Sequence, residues 1–357
     1  MTSQRLSLRH KVILIGTPIV LLCGVFSFYF THANPFLGGN DIPNTSTGLL
    51  LYSEGSGNNF AVGSLRLSDI APSPVSDFGN SKFQNFGKEL YLSPDRKLVA
   101  VTLVPIGEEA WPSTYISDIN GTQITPAHSG RFESWSPDSN KVLLYLSPME
   151  APWMRKIYAL DTQNKYYDTG LPDGTISADT SPIDGSILYS FTSGGTDAST
   201  LYIRDMRGND KLLLNGNNNV FAWVRWSPKG DKIVFMKSNL AIDGSDLSVW
   251  GINPDGSSAE KISDVVWGYP PAWSPDGERI AFSNAGNTWE YDYTGKSLKN
   301  VTNLNPGGAQ HPSYSADGSL IVFSSNASGG SQIFSAQNGT VAQLTQDSQE
   351  KDYPILP

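Results

Sequence analysis

The chain has 357 residues, 39% of them hydrophobic and 17% charged, with a formal net charge of −9. That length and apolar content suit one or two domains with a large core, and an acidic balance without a basic stripe argues against nucleic acid as a partner, because a phosphate backbone requires clustered Lys and Arg. The 34 Gly and 23 Pro are scattered as punctuation between many short elements, which points to an all-β chain.

Residues 1–11 include Arg5, Arg9, His10 and Lys11, and read as a cytoplasmic N-terminus. Val12 to Phe30 is then a run without charge, long enough to cross a bilayer as a helix. The positive residues before it predict an anchor that leaves the remainder of the chain on the extracytoplasmic side, periplasmic or cell-surface. A cleavable signal peptide ending near Thr31-His32-Ala33 is the alternative, but secretory apolar regions usually run about 7 to 15 residues, so the length favours an uncleaved anchor. Cys23, the single cysteine, lies inside this run; Leu22 is too bulky to precede a lipid-modified cysteine, and no disulfide or cysteine-based metal site can form downstream. Residues 31–47, containing NPFLGGNDIPNTST, read as a linker.

From there a repeat governs the sequence. LSPDRKLVAV, WSPDSNKVLLY, TSPIDGSILYS, WSPKGDKIVFM, WSPDGERIAFS and YSADGSLIVFS place serines at 93, 136, 181, 227, 274 and 315, at intervals of 43, 45, 46, 47 and 41 residues. Pro fixes φ at the second turn position, Asp bonds neighbouring amides and Gly accepts positive φ, so each copy predicts a tight turn between antiparallel strands. A third-strand family follows (TYISD, IYALD, LYIRD, LSVWGI, TWEYD, QIFSA), ending in Asn-, Asp- and Gly-rich hairpins such as DINGT and NPDGS. A fourth short strand, for example KLLLN, completes most units. Four antiparallel strands per 40 to 45 residues describe the blade of a β-propeller. Trp135, Trp226 and Trp273 are repeat positions assigned to packing between blades.

The first unit begins with LLLYS at Leu49 and lacks a turn and a first strand, whereas the chain finishes on KDYPILP, similar to the lead-ins GYPPAW and HPSY. The C-terminal strand is therefore expected to complete the N-terminal blade. Residues 48–357 then form seven blades, with second strands beginning near 49, 98, 142, 187, 233, 280 and 320 and Tyr353 to Leu356 paired near Leu50. Six blades is the alternative if residues 48–85 are an appended hairpin. The W-S-P-D-G and I-A-F pattern resembles the WD-type repeat of the TolB family of propellers over essentially all of residues 48–357. TolB itself carries an N-terminal α/β domain before a six-bladed propeller, and residues 34–47 are too short to supply one.

The repeat leaves function to the loops. Asp95, Asp138, Asp276 and Asp317 are explained by turn chemistry, and no G-x-S-x-G elbow is present, which argues against the hydrolases that carry similar propellers. His128 and His311 fall between a last strand and the next first strand, on one predicted face but in distant blades. Two histidines are too few for the His-rich metal site of propeller lyases, so no metal or cofactor is assigned. Aromatic and charged residues gather on the same face: Glu108, Glu109, Trp111, Arg131, Glu150, Trp153, Arg155, Trp267 and Tyr269 join the histidines as candidate ligand-binding positions. The sequon asparagines Asn44, Asn120, Asn300, Asn326 and Asn338 carry meaning only in a host that glycosylates exported proteins. The sequence is read as a non-catalytic, membrane-anchored scaffold that binds a protein, peptide or envelope glycan. The alternatives are a carbohydrate-active lyase or hydrolase using Glu108, Glu109, Glu133 or Glu150, and an assembly factor that needs no ligand.

Overall fold

A computed structural model of the chain describes residues 49–56, 59–67, 86–105, 111–146, 155–193, 198–239, 246–266, 268–304 and 308–357. Residues 1–47, with the expected anchor and linker, lie outside them. Among the described residues no helix is long and apolar enough to cross a membrane.

Seven antiparallel sheets succeed one another along the chain. The first blade contains β1 (Leu49–Ser56) and β2 (Asn59–Arg66). The second runs β3 (Phe86–Leu92), β4 (Leu98–Pro105), β5 (Ser113–Asp118), β6 (His128–Ser129), and the third β7 (Arg131–Trp135), β8 (Lys141–Leu146), β9 (Lys156–Asp161), β10 (Tyr166–Asp168). The fourth holds β11 (Thr175–Thr180), β12 (Ile187–Thr192), β13 (Ser199–Arg204), β14 (Asp210–Leu214), and the fifth β15 (Asn219–Trp226), β16 (Ile233–Asn239), β17 (Leu247–Ile252), β18 (Glu260–Val265). The sixth comprises β19 (Ala272–Trp273), β20 (Arg279–Asn284), β21 (Asn287–Asp292), β22 (Ser297–Asn300), and the seventh β23 (Gln310–Tyr314), β24 (Ile321–Ser325), β25 (Gln332–Gln337), β26 (Thr340–Gln343). The last strand, β27 (Glu350–Ile355), returns to the first blade and pairs antiparallel with β1, placing Ile355 opposite Leu51 and Asp352 opposite Ser53. Seven blades and closure by the C-terminal strand are thus as the repeat implied.

Each turn works through its serine. The Ser274 hydroxyl donates to Asp276 Oδ1 at 2.5 Å and accepts from the Arg279 amide at 2.9 Å, and Ser315 does the same with Asp317 (2.6 Å) and the Leu320 amide (3.0 Å). The hydroxyl thereby welds the end of the first strand to the start of the second, and it is buried, so water does not compete. Where the turn glycine is replaced, the left-handed residue reaches another blade. Ser139 (φ 60°) accepts from the Asp95 amide at 3.0 Å, and the Arg96 guanidinium (φ 61°) donates to the carbonyls of Leu356 and, at 3.3 Å, Tyr314.

The core lies between sheets. Trp135 packs on Ala100 and Ile116 of the preceding blade, Trp226 on Leu188 and Leu201, and Trp273 on Val234 and Val249. The closing blade is held on both sides, with Leu51, Val62 and Ile355 against Leu90 and Val99 of the second blade, and Leu50, Tyr52 and Leu356 against Val322 and Ile333 of the seventh. Because strands alternate direction, first-to-second and third-to-fourth turns share one face, the turn face. The remaining connections form the loop face.

Candidate functional site

Among the seven strands that line the axis, β7, β11, β15, β23 and β27 each break register with their neighbour. A bulge inserts one residue and re-aims a side chain. Glu133 is the extra residue in β7, between the pairs Phe132–Leu144 and Ser134–Leu143. In β15, β23 and β27 the bulged residues Trp223, His311 and Tyr353 all have φ of 48°. Left-handed backbone at large side chains costs on the order of 1–3 kcal/mol each and tends to gather at functional sites.

These departures assemble a charged, aromatic cluster around the axis. Glu89 of β3 is buried and accepts from Tyr91 Oη at 3.0 Å, Tyr353 Oη at 3.0 Å and Arg131 Nε at 3.0 Å, with a second Arg131 nitrogen on its other oxygen. Burial opposes the charge on Arg131, but Glu89 beside it holds the guanidinium protonated, its pKa well above the ordinary value. Burial and then the Glu89 charge push the Tyr91 phenol upward in the same way. Next to this cluster His311 Nδ1 meets Asp352 Oδ1 at 2.6 Å, and Ser324 Oγ donates to the same oxygen at 2.6 Å. Burial works against the Asp352 carboxylate, but His311, Ser324 and the Tyr353 amide bring its pKa below the usual range. Further along β7, Glu133 accepts from Ser177 Oγ at 2.6 Å and from Arg225 at 3.3 Å, while Asp179 accepts from the Trp226 amide at 2.7 Å. Burial raises Asp179 to about 6.

The aromatic side chains form a continuous arc. Tyr269 meets the His311 ring edge-on at 4.6 Å, His311 stacks on Tyr353 at 3.8 Å, Tyr353 meets Tyr91 at 6.3 Å, and Tyr91 stacks on Phe132 at 4.2 Å. Tyr269, His311 and Tyr353 each precede a proline, in the lead-in sequences that suggested ring closure.

Of the residues singled out from sequence, Arg131, Tyr269 and His311 come together in this cluster. His128 does not: it lies on the outermost strand β6, 2.5 Å from Asn164 Oδ1 of the third blade's hairpin and 5.0 Å from the Tyr166 ring. Both histidines lie in strands rather than loops, because β6 is only two residues long and runs almost directly into β7, and β23 already begins at Gln310. Trp111 and Arg155 lie in second-to-third connections of the loop face, with the Trp111 indole nitrogen buried and unpaired. Glu108, Glu109, Glu150, Trp153 and Trp267 fall outside the described residues. The sequence reading did not single out Glu89, Tyr91, Asp352 and Tyr353 as site residues, and of these only Tyr353 carried a signal, the aromatic–proline lead-in. No group of three His, Cys, Asp or Glu side chains able to hold a metal ion occurs among the described residues. A pocket of about 130 Å³ between the sixth and seventh blades contains Arg279, whose guanidinium already donates to Glu290 Oε1 (3.0 Å) and the Gly318 carbonyl (2.8 Å).

No family model matches the sequence, and no curated protein matches it. The propeller domain of the Trilobed protease from Pyrococcus furiosus superposes with a TM-score of 0.57 at 14% identity, covering 85% of this chain and 96% of that one. The protein is a β-propeller by fold. Oligogalacturonate lyase from Vibrio parahaemolyticus gives 0.53 at 13% identity, over 78% of this chain and 83% of its own. TolB from Acinetobacter baumannii gives 0.48 at 14% identity, over 86% and 82%. TolB proteins thus stand among the propeller's structural neighbours beside a lyase and a peptidase domain, and at these identities the likeness is one of fold alone.

Proposed function

We propose that the protein is a membrane-anchored, extracytoplasmic propeller that binds a protein or envelope partner at its loop face without catalysing a reaction on it. The observation that carries this reading is the state of the axial carboxylates. Glu89 is held by Arg131 and two tyrosine hydroxyls, Asp352 by His311 and Ser324, and Glu133 by Arg225 and Ser177. A general acid and base need carboxyl groups able to exchange protons with a substrate, whereas these carboxyls are locked into a framework. That framework holds Tyr269, His311 and Tyr353 in fixed positions, the preorganisation a binding surface uses. The lyase neighbour defines the competing reading.

The test uses the full chain in detergent against envelope extracts and oligosaccharides. A protein partner that co-purifies with the native chain and is lost from a Tyr269→Ala/Trp111→Ala variant with an unchanged circular dichroism spectrum supports the proposal. Turnover of an oligosaccharide, abolished by Glu133→Gln, would replace it with the lyase or hydrolase reading.

A further inference from the structure

The two most exposed large apolar side chains among the described residues are Ile183 and Met206, at 72% and 76%. Neither is required by its turn. Ile183 stands where the other first-to-second turns carry Asp or Lys, and Asp184 takes over the capping, accepting from the Ser186 amide at 3.1 Å. Met206 occupies a hairpin whose bonds are made by Asp205, which accepts from the Arg207 and Asn209 amides at 2.8 and 2.9 Å. The two belong to one patch. A Cβ placed on Gly185 would lie 3.3 Å from Met206 Sδ, and one on Gly230 of the neighbouring blade 2.4 Å from Ile183 Cγ1, so Ile183 leans across a glycine that leaves it room. Arg207 follows Met206 in its hairpin and Lys232 stands in the same turn as Gly230, while the carboxylates of Asp184, Asp205 and Asp231 are turned back onto their own turns. Val266, at 63%, is an exposed apolar residue on the loop face.

Ile183 lies between β11 and β12 and Met206 between β13 and β14, so both are on the turn face. The chain also joins the propeller there, because β1 is a second strand and its first residue, Leu49, occupies the place that follows a turn. The 17 residues 31–47 span at most about 60 Å. A propeller tethered at that length and at that face presents the turn face to whatever holds residues 12–30.

We propose that the turn face rests on the lipid surface, with Ile183 and Met206 set among the headgroups and acyl ends and Arg207 and Lys232 beside the phosphates. This rests on the anchored reading above, and it directs the loop face with Tyr269, His311 and Tyr353 away from the bilayer. Two apolar side chains bind weakly by themselves, but the tether makes their docking intramolecular.

The experiment reconstitutes the full chain, carrying Cys23→Ser, into phosphatidylcholine vesicles, with a nitroxide attached in turn to Ile183→Cys, Met206→Cys and Asp173→Cys. Asp173 lies between β10 and β11 on the loop face. Collision with oxygen relative to a water-soluble nickel chelate is expected to be several-fold higher at 183 and 206 than at 173, and to fall at 206 when Ile183→Asp is added. Aqueous values at 183 and 206 in protein that floats with the vesicles overturn the orientation and leave the anchor standing. Exclusion of both reagents at 183 and 206 overturns it in favour of a second copy covering the patch. Protein that does not float overturns the anchor and this inference together.

Discussion

Asp179 is the axial group whose protonation is most displaced upward into the physiological range. Burial raises its carboxyl from 3.8 to about 6, against the pull of Arg225 and the Trp226 amide. Between those values the folded chain retains a proton that the unfolded chain releases, so stability falls as pH rises through roughly 4 to 6, by about 3 kcal/mol when complete. Asp179→Asn keeps an acceptor for Trp226 but cannot ionise; thermal melts from pH 4 to 7 should show the native chain losing stability relative to the variant across that window. A constant difference between the two would contradict the assignment. Sequence foretold the chemistry of this region only in part. Arg131, Tyr269 and His311 stood out because they adjoin loops, whereas Glu89 and Tyr353 looked like strand residues. Which way a strand residue points depends on bulges, and a register shift after Phe132 or at Tyr353 leaves no mark in a period-two pattern.

Turns set the element boundaries, which is why the second strands begin within a residue or so of where the repeat put them: Leu98, Lys141, Ile187, Ile233, Arg279 and Ile321. The same turns contain information that their consensus hides. Arg96 replaces the glycine of its copy and holds a left-handed φ of 61°, a penalty that its reach to the carbonyls of Leu356 and Tyr314 offsets. Arg96→Ala should therefore lower urea stability by about 2–4 kcal/mol, since it loses two charge-assisted hydrogen bonds and retains the strain. Arg96→Gly should lose about 1 kcal/mol less, because glycine adopts that φ freely. Equal losses in both variants would place the effect in the contacts alone. The two-residue β6 was the element least visible beforehand, being too short for any periodicity.

At the scale of the ring, the imperfect first unit was the most informative stretch of sequence, since two fragments at opposite ends of the chain completed one blade. Removing residues 350–357 leaves the inner edge of β1 unpaired and takes Ile355 and Leu356 from the clusters on either side. The truncated protein should lose its single cooperative transition, be cut by protease in the first blade and form oligomers on size exclusion, as an open edge invites pairing with other chains. A monomer that melts as sharply as the full chain would show the ring to be held by its remaining interfaces.

The pairing of β1 with β27 also has a consequence in time. Ser56 ends the first strand and Glu350 begins the strand that covers it. At ribosomal rates of about 5–20 residues per second, roughly a quarter of a minute to a minute separates their synthesis. Throughout that interval one edge of the first blade waits uncovered while six others are completed. The nascent protein is therefore most vulnerable to misassembly just before its final residues appear, and a chaperone that shields β1 would be needed only until then.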